Sequence, residues 1–121
     1  MDKRPPLWVG HISLLTHKLE ESQVFMKQLG MRPIAQFDDI AILELRGGTH
    51  LILQRCTKKC AIDTEFDLMV DDLESTHSDF ISKGLNPSKM TYGKIHDYFI
   101  VTEPGGSRIK FNSTHVSDFA V

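Results

Sequence analysis

The feature that most limits the fold of this chain is that it is written twice. An offset of 54 positions lays residues 11–33 (HISLLTHKLEESQVFMKQLGMRP) on residues 65–87 (EFDLMVDDLESTHSDFISKGLNP) without a gap. Leu14 then meets Leu68, Leu19 meets Leu73, Glu20 meets Glu74, Ser22 meets Thr76, Gly30 meets Gly84 and Pro33 meets Pro87. Further on, RGGTHLILQ (46–54) and PGGSRIKFN (104–112) share a Gly-Gly pair followed by alternating apolar residues, at an offset of 58. The second copy is therefore four residues longer, which fits a longer hairpin ahead of that pair. Repetition on this scale means two copies of one supersecondary unit, each unable to bury its apolar face alone.

Each copy reads as strand, helix and three strands. Ile12 and Leu14 alternate with His11, Ser13 and Leu15, the period of a strand with one covered face. Leu19, Ser22, Phe25, Met26 and Leu29 recur at helical spacing and predict a helix over 19–29, with Gly30 as a left-handed cap. Strands are expected over 32–37, 40–45 and 49–54, with FDD and RGG as turns. The second copy predicts a strand over 65–70, a helix over 73–83, and strands over 89–95, 98–102 and 108–112. The whole is expected to be one domain over 1–121, with module one at about 7–55, a linker at 56–63 and module two at about 64–115.

Composition narrows the function classes. The hydrophobic share is 40% and the charged share 25%, enough to build a core without metals or disulfides. Fourteen basic residues against sixteen acidic ones give a net charge of −2, so no basic field argues for nucleic acid. The apolar runs are far too short to cross a membrane, and MDKRPPLW is not a signal peptide, so a cytoplasmic location is expected. Cys56 and Cys60 in CTKKC lack the CxxC spacing of a redox site, and no second pair completes a zinc site, so two reduced thiols are expected. The sequon at Asn112 matters only in a secreted protein. No Gly-rich nucleotide motif is present, and nothing places a Ser-His-Asp triad together.

A tandem strand–helix–three-strand repeat of this length, carrying SQVFMKQLGM (22–31) and EPGGSRIKF (103–111), resembles the vicinal oxygen chelate superfamily of glyoxalases, bleomycin-resistance proteins and extradiol dioxygenases. The resemblance spans about residues 8–115. It implies an α+β fold in which tandem βαβββ modules form a curved mixed-sheet cup with helices outside. It also implies a homodimer and a small organic molecule as ligand. The metal positions of that family fall here on His11, Ile52, Glu65 and Lys110. Isoleucine cannot coordinate a cation, and a protonated lysine repels one. His11 and Glu65 remain competent, fewer than the roughly three protein ligands a catalytic metal takes.

Strand parity lists what should line the cup: His11, Ser13, His50, Gln54, Glu65, Asp67, Met69, Arg108, Lys110 and Asn112. Glu65 and Lys110 are expected to pair where the metal would have been. Tyr92 and Tyr98 of the long hairpin are expected as ligand contacts. His17 and His77 are expected at the surface, and His115 could curl over the cup.

Three functions fit. The first is a small-molecule-binding protein with a degenerate metal site and no cofactor, sequestering or modifying an organic ligand whose anionic or oxygen-rich groups meet Lys110 or Arg108. The second is a divalent-metal-dependent lyase or oxidoreductase of the glyoxalase or dioxygenase kind. Its displaced site would use His11 and Glu65, with His50 or Gln54 recruited. The third is metal-free acid–base catalysis, with Glu65 or His11 as base and Lys110 as oxyanion partner.

Overall fold

The computed structural model describes residues 2–113 of the chain. It runs β1 (His11–Thr16), α1 (Leu19–Leu29), β2 (Arg32–Gln36), β3 (Ile40–Glu44), β4 (His50–Arg55), then β5 (Asp63–Met69), α2 (Leu73–Ser82), β6 (Thr91–Tyr92), β7 (Asp97–Thr102) and β8 (Arg108–Asn112). The strands form two separate four-stranded sheets, ordered β1-β4-β3-β2 and β5-β8-β7-β6. In each, the first strand runs parallel to the last and the other pairings are antiparallel. The architecture is α+β, built from two βαβββ modules, and the sheets do not close on each other. β1 and β5 are both edge strands.

Alternation decides which face of each strand is covered. Leu14 and Thr16 of β1, Ala41 and Leu43 of β3, and Leu51 and Leu53 of β4 are buried, as are Phe99 and Val101 of β7 and Ile109 and Phe111 of β8. Leu19, Phe25 and Met26 of α1 and Leu73 and Phe80 of α2 join them in one buried cluster drawn from both modules. Each such side chain contributes about 1.5–3 kcal/mol on burial. Phe80 meets Phe99 and Phe111 edge-on, at 5.8 and 5.3 Å between ring centroids.

The repeat extends to the helix ends. Gly30 (φ 120°) donates its N–H to the Lys27 carbonyl, and Met31 donates to Met26. Gly84 (φ 74°) donates to Ile81, and Leu85 donates to Phe80. Both are Schellman closures, which need the left-handed conformation that glycine adopts most easily. They also bury the residue after the glycine, Met31 and Leu85, each 7% exposed.

Two expectations are corrected. The strand over 89–95 reduces to Thr91–Tyr92. Upstream of it the Ser88 hydroxyl accepts from the Ile100 N–H, so a side chain takes the place of a ladder bond. His77 lies at the surface as expected, where its Nε2 bonds the Ser88 carbonyl at 2.7 Å and its ring meets Phe99 edge-on. Cys56 and Cys60 are joined in a disulfide rather than left as thiols. The Cys56 N–H is tied to the Thr16 carbonyl, and the bend at Thr57 and Lys58 brings the two Cα atoms to 6.8 Å, within disulfide reach. Among the described residues, no helix is long and apolar enough to cross a membrane.

Candidate functional site

Turning the apolar residues of each strand inward leaves the other parity on an open face, and cross-strand register arranges that face in rows. On sheet one the first row is His11, His50, Glu44 and Arg32, each opposite the next. The His11 and His50 rings stack with centroids 5.7 Å apart. His50 Nε2 lies 3.0 Å from Glu44 Oε2, and Arg32 binds the same carboxylate. The Arg32 guanidinium first, then His50, hold the Glu44 carboxyl below its ordinary range. The second row is Ser13, Ile52 and Ile42, and the third is Leu15, Gln54 and Ile40.

Sheet two is built differently. Asp63 lies opposite Arg108, Asp67 opposite Lys110 and Met69 opposite Asn112, with a register shift between Asp63 and Asp67. Arg108 pairs with Asp63 at 3.4 Å. Asp67 accepts from the Asn112 amide at 2.8 Å. Asn112 is only 2% exposed, and its Oδ1 has no partner among the described residues.

The expected pairing of Glu65 with Lys110 is not formed. The register shift carries Glu65 away from Lys110, and the lysine ammonium instead lies 4.3 Å above the centroid of the Tyr98 ring. A cation over an aromatic face is held by the ring quadrupole without a countercharge. Lys110, Tyr98, Ile100, Arg108, Asp63 and Thr64 wall a cavity of about 190 Å³. Tyr92 is 72% exposed and lines a different hollow, with Asp71, Asp72 and Asp97, so the two hairpin tyrosines are not brought together. A larger hollow of about 580 Å³ lies between the N-terminal residues Asp2–Trp8 and Arg46, Gly47 and Thr49, and holds none of the predicted site residues. His115 lies outside the described residues.

The donor set does not fit a divalent metal at the four expected positions. His11 and Glu65 offer donors, but Ile52 is apolar and Lys110 is a cation. Among the described residues no three His, Cys, Asp or Glu side chains are grouped to hold a metal.

One cluster escaped the sequence reading. Glu103, 2% exposed, accepts from the Ser22 hydroxyl at 2.6 Å and from the N–H groups of Gly105 and Ser107 at 3.0 and 2.8 Å. It ties the β7–β8 turn of module two to α1 of module one. The corresponding turn of module one reaches the start of α2 through an exposed pair, Arg46 with Asp71 at 2.8 Å. A signal was present: the offset of 58 aligns Glu103 with Leu45, a charge against an apolar residue at the same turn position.

No family model matches the chain, and no curated protein matches it. Solved structures do. A lactoylglutathione lyase from Agrobacterium tumefaciens superposes with a TM-score of 0.77 at 12% identity, covering 96% of this chain and 100% of that one. The antibiotic binding protein TnmS3 from Streptomyces sp. CB03234 gives 0.74 at 14% identity, over 90% of this chain and 97% of that one. A glyoxalase/bleomycin resistance protein/dioxygenase from Alicyclobacillus acidocaldarius gives 0.68 at 17% identity, over 91% and 93%.

Proposed function

From the premise that this chain has the paired-module fold of the vicinal oxygen chelate superfamily, we propose that it binds a small organic molecule without a metal. The observation that carries this reading is Lys110. By the resemblance it falls at a metal-ligand position, and its ammonium lies over Tyr98 and in a cavity, with no carboxylate at ion-pair distance among the described residues. Its counterpart in sheet one, Ile52, offers no donor at all. The likeness to an antibiotic binding protein supports sequestration as the form of the activity. Each open face is half of a cup, and the free edges of β1 and β5 favour a homodimer in which a second copy completes the other half.

The rival is a divalent metal at His11 and Glu65 with His50 or Gln54 recruited. One observation favours it, the two imidazoles of His11 and His50 stacked with centroids 5.7 Å apart. Restoring the missing ligands separates the two. The double variant Ile52→Glu, Lys110→Glu is expected to gain nickel or zinc binding by calorimetry that the natural protein lacks. Equal metal binding by both would contradict the metal-free reading.

A further inference from the structure

The repeat pairs positions on the two open faces. At the offset of 58, Ile40, Ile42, His50 and Ile52 of sheet one correspond to Tyr98, Ile100, Arg108 and Lys110 of sheet two. In sheet two that set walls the cavity of about 190 Å³, with a cation over an aromatic ring. In sheet one it is a wall of three isoleucines, with Ile42 directly opposite Ile52, extended by Leu15, which is 46% exposed. β3 is apolar on both faces, since Ala41 and Leu43 are buried in the core while Ile40 and Ile42 look the other way. A strand apolar on both sides belongs to a sheet covered on both sides.

The charges on sheet two are already apportioned. Asp63 pairs with Arg108, Asp67 accepts from the Asn112 amide and keeps its charge opposite Lys110 but outside ion-pair distance, and Glu65 lies away from Lys110 beyond the register shift. Of the charged residues lining the cavity, Lys110 is the one left without an ion-pair partner among the described residues. A neutral ligand lying on it would strip water from the ammonium and leave it only the Tyr98 ring, and a cation would be repelled. An oxyanion would supply the missing charge. The cavity is smaller than the roughly 300–1,000 Å³ of pockets that enclose a drug-sized molecule, so it fits a head group. The rest of such a molecule must lie outside the cavity, and in the proposed homodimer the isoleucine wall of a second copy is the apolar surface available to it.

We infer that the ligand is an amphipathic organic anion, its oxyanion on Lys110 above Tyr98 of one copy and its apolar body against the Ile40, Ile42 and Ile52 face that a second copy brings to the cup in the proposed homodimer. This rests on the cup being the binding site. Calorimetry on the full chain with 2-naphthoate, 2-naphthylmethylammonium, 2-naphthalenemethanol and acetate at fixed ionic strength tests it. Naphthoate is expected to bind at least tenfold tighter than the ammonium, and acetate far more weakly than naphthoate. Lys110→Glu is expected to reverse the order of naphthoate and ammonium, and Lys110→Met to erase the difference. Ile52→Asn should weaken naphthoate and the alcohol by similar factors. Circular dichroism of each variant checks its fold. Equal binding of anion and cation, an order unchanged in Lys110→Glu, or no binding by any probe would overturn the inference. The first two of these outcomes leave metal-free binding standing. A full equivalent of metal lost in His11→Ala would instead remove the metal-free reading, whatever the charge preference of the probes.

Discussion

Ser22 donates its hydroxyl to Glu103 at 2.6 Å across the boundary between the two modules, and both side chains are closed to solvent. The Thr16 hydroxyl, 2.8 Å from Ser22 Oγ, is then the donor to it, while itself accepting from the Lys18 N–H. Gly105 lets the turn come this close, because a Cβ there would lie 2.5 Å from Thr16 Oγ1. Removing the carboxylate strands two buried N–H groups and a hydroxyl. Glu103→Ala is expected to cost roughly 2–4 kcal/mol in urea unfolding. Arg46→Ala, at the solvent-screened counterpart, should cost far less. Similar losses in the two variants would contradict this asymmetry.

The two helices start differently. Asp72 accepts from the Ser75 N–H at 3.0 Å, whereas Lys18 gives α1 no side-chain cap. Asp72→Ala is expected to destabilise by about 1 kcal/mol. Lys18→Asp should stabilise by up to about the same amount through a cap that is now missing. Thermal melts of the two variants are expected to shift in opposite directions, and shifts of the same sign would contradict this.

Exposed ion pairs give the acid side of the stability curve its slope. Glu44 is held below its ordinary value of 4.5 by Arg32 and then His50, and Glu20 is lowered from the same value by Arg55. Asp71 is lowered from 3.8 by Arg46. A carboxyl lowered on folding adds stability above its unfolded value, and that stability is lost as pH falls through the folded one. Stability should therefore fall as pH drops below about 4.5, less steeply in Glu44→Gln and less steeply in high salt. A slope unchanged by both would show that these pairs do not set it.

The disulfide closes a short ring, from Cys56 to Cys60. Loop closure of about five residues is worth roughly 2 kcal/mol in the unfolded-chain account. Dithiothreitol and the Cys56→Ser, Cys60→Ser variant are expected to lower stability by that amount, and the reductant should do nothing further to the variant. Two free thiols on titration of the untreated protein would contradict the bridge.

Much of the fold was legible because it rests on period. Leu19 to Leu29 repeats at helical spacing and forms that helix to the residue, and Gly30 and Gly84 mark both helix ends. The face of each strand followed from alternation, which is why His11, Glu65 and Lys110 stand on open faces. What stayed hidden depends on register and on contacts distant in sequence. Nothing local to Glu65 reveals the shift that puts Asp67 opposite Lys110, and nothing local to EPGG reveals that Glu103 reaches Ser22, 81 residues away. The strand expected over 89–95 looked regular because a serine hydroxyl substituting for a ladder bond leaves no mark on periodicity.

The measurement closest to the central claim is the metal content of the protein purified without chelator, by elemental mass spectrometry, followed by titration with nickel, zinc, manganese and iron(II). The proposal that Lys110 and Ile52 replace metal ligands predicts well under one equivalent of bound metal and no thermal shift with any of the ions. One equivalent of metal, lost in both His11→Ala and Glu65→Ala, would contradict it.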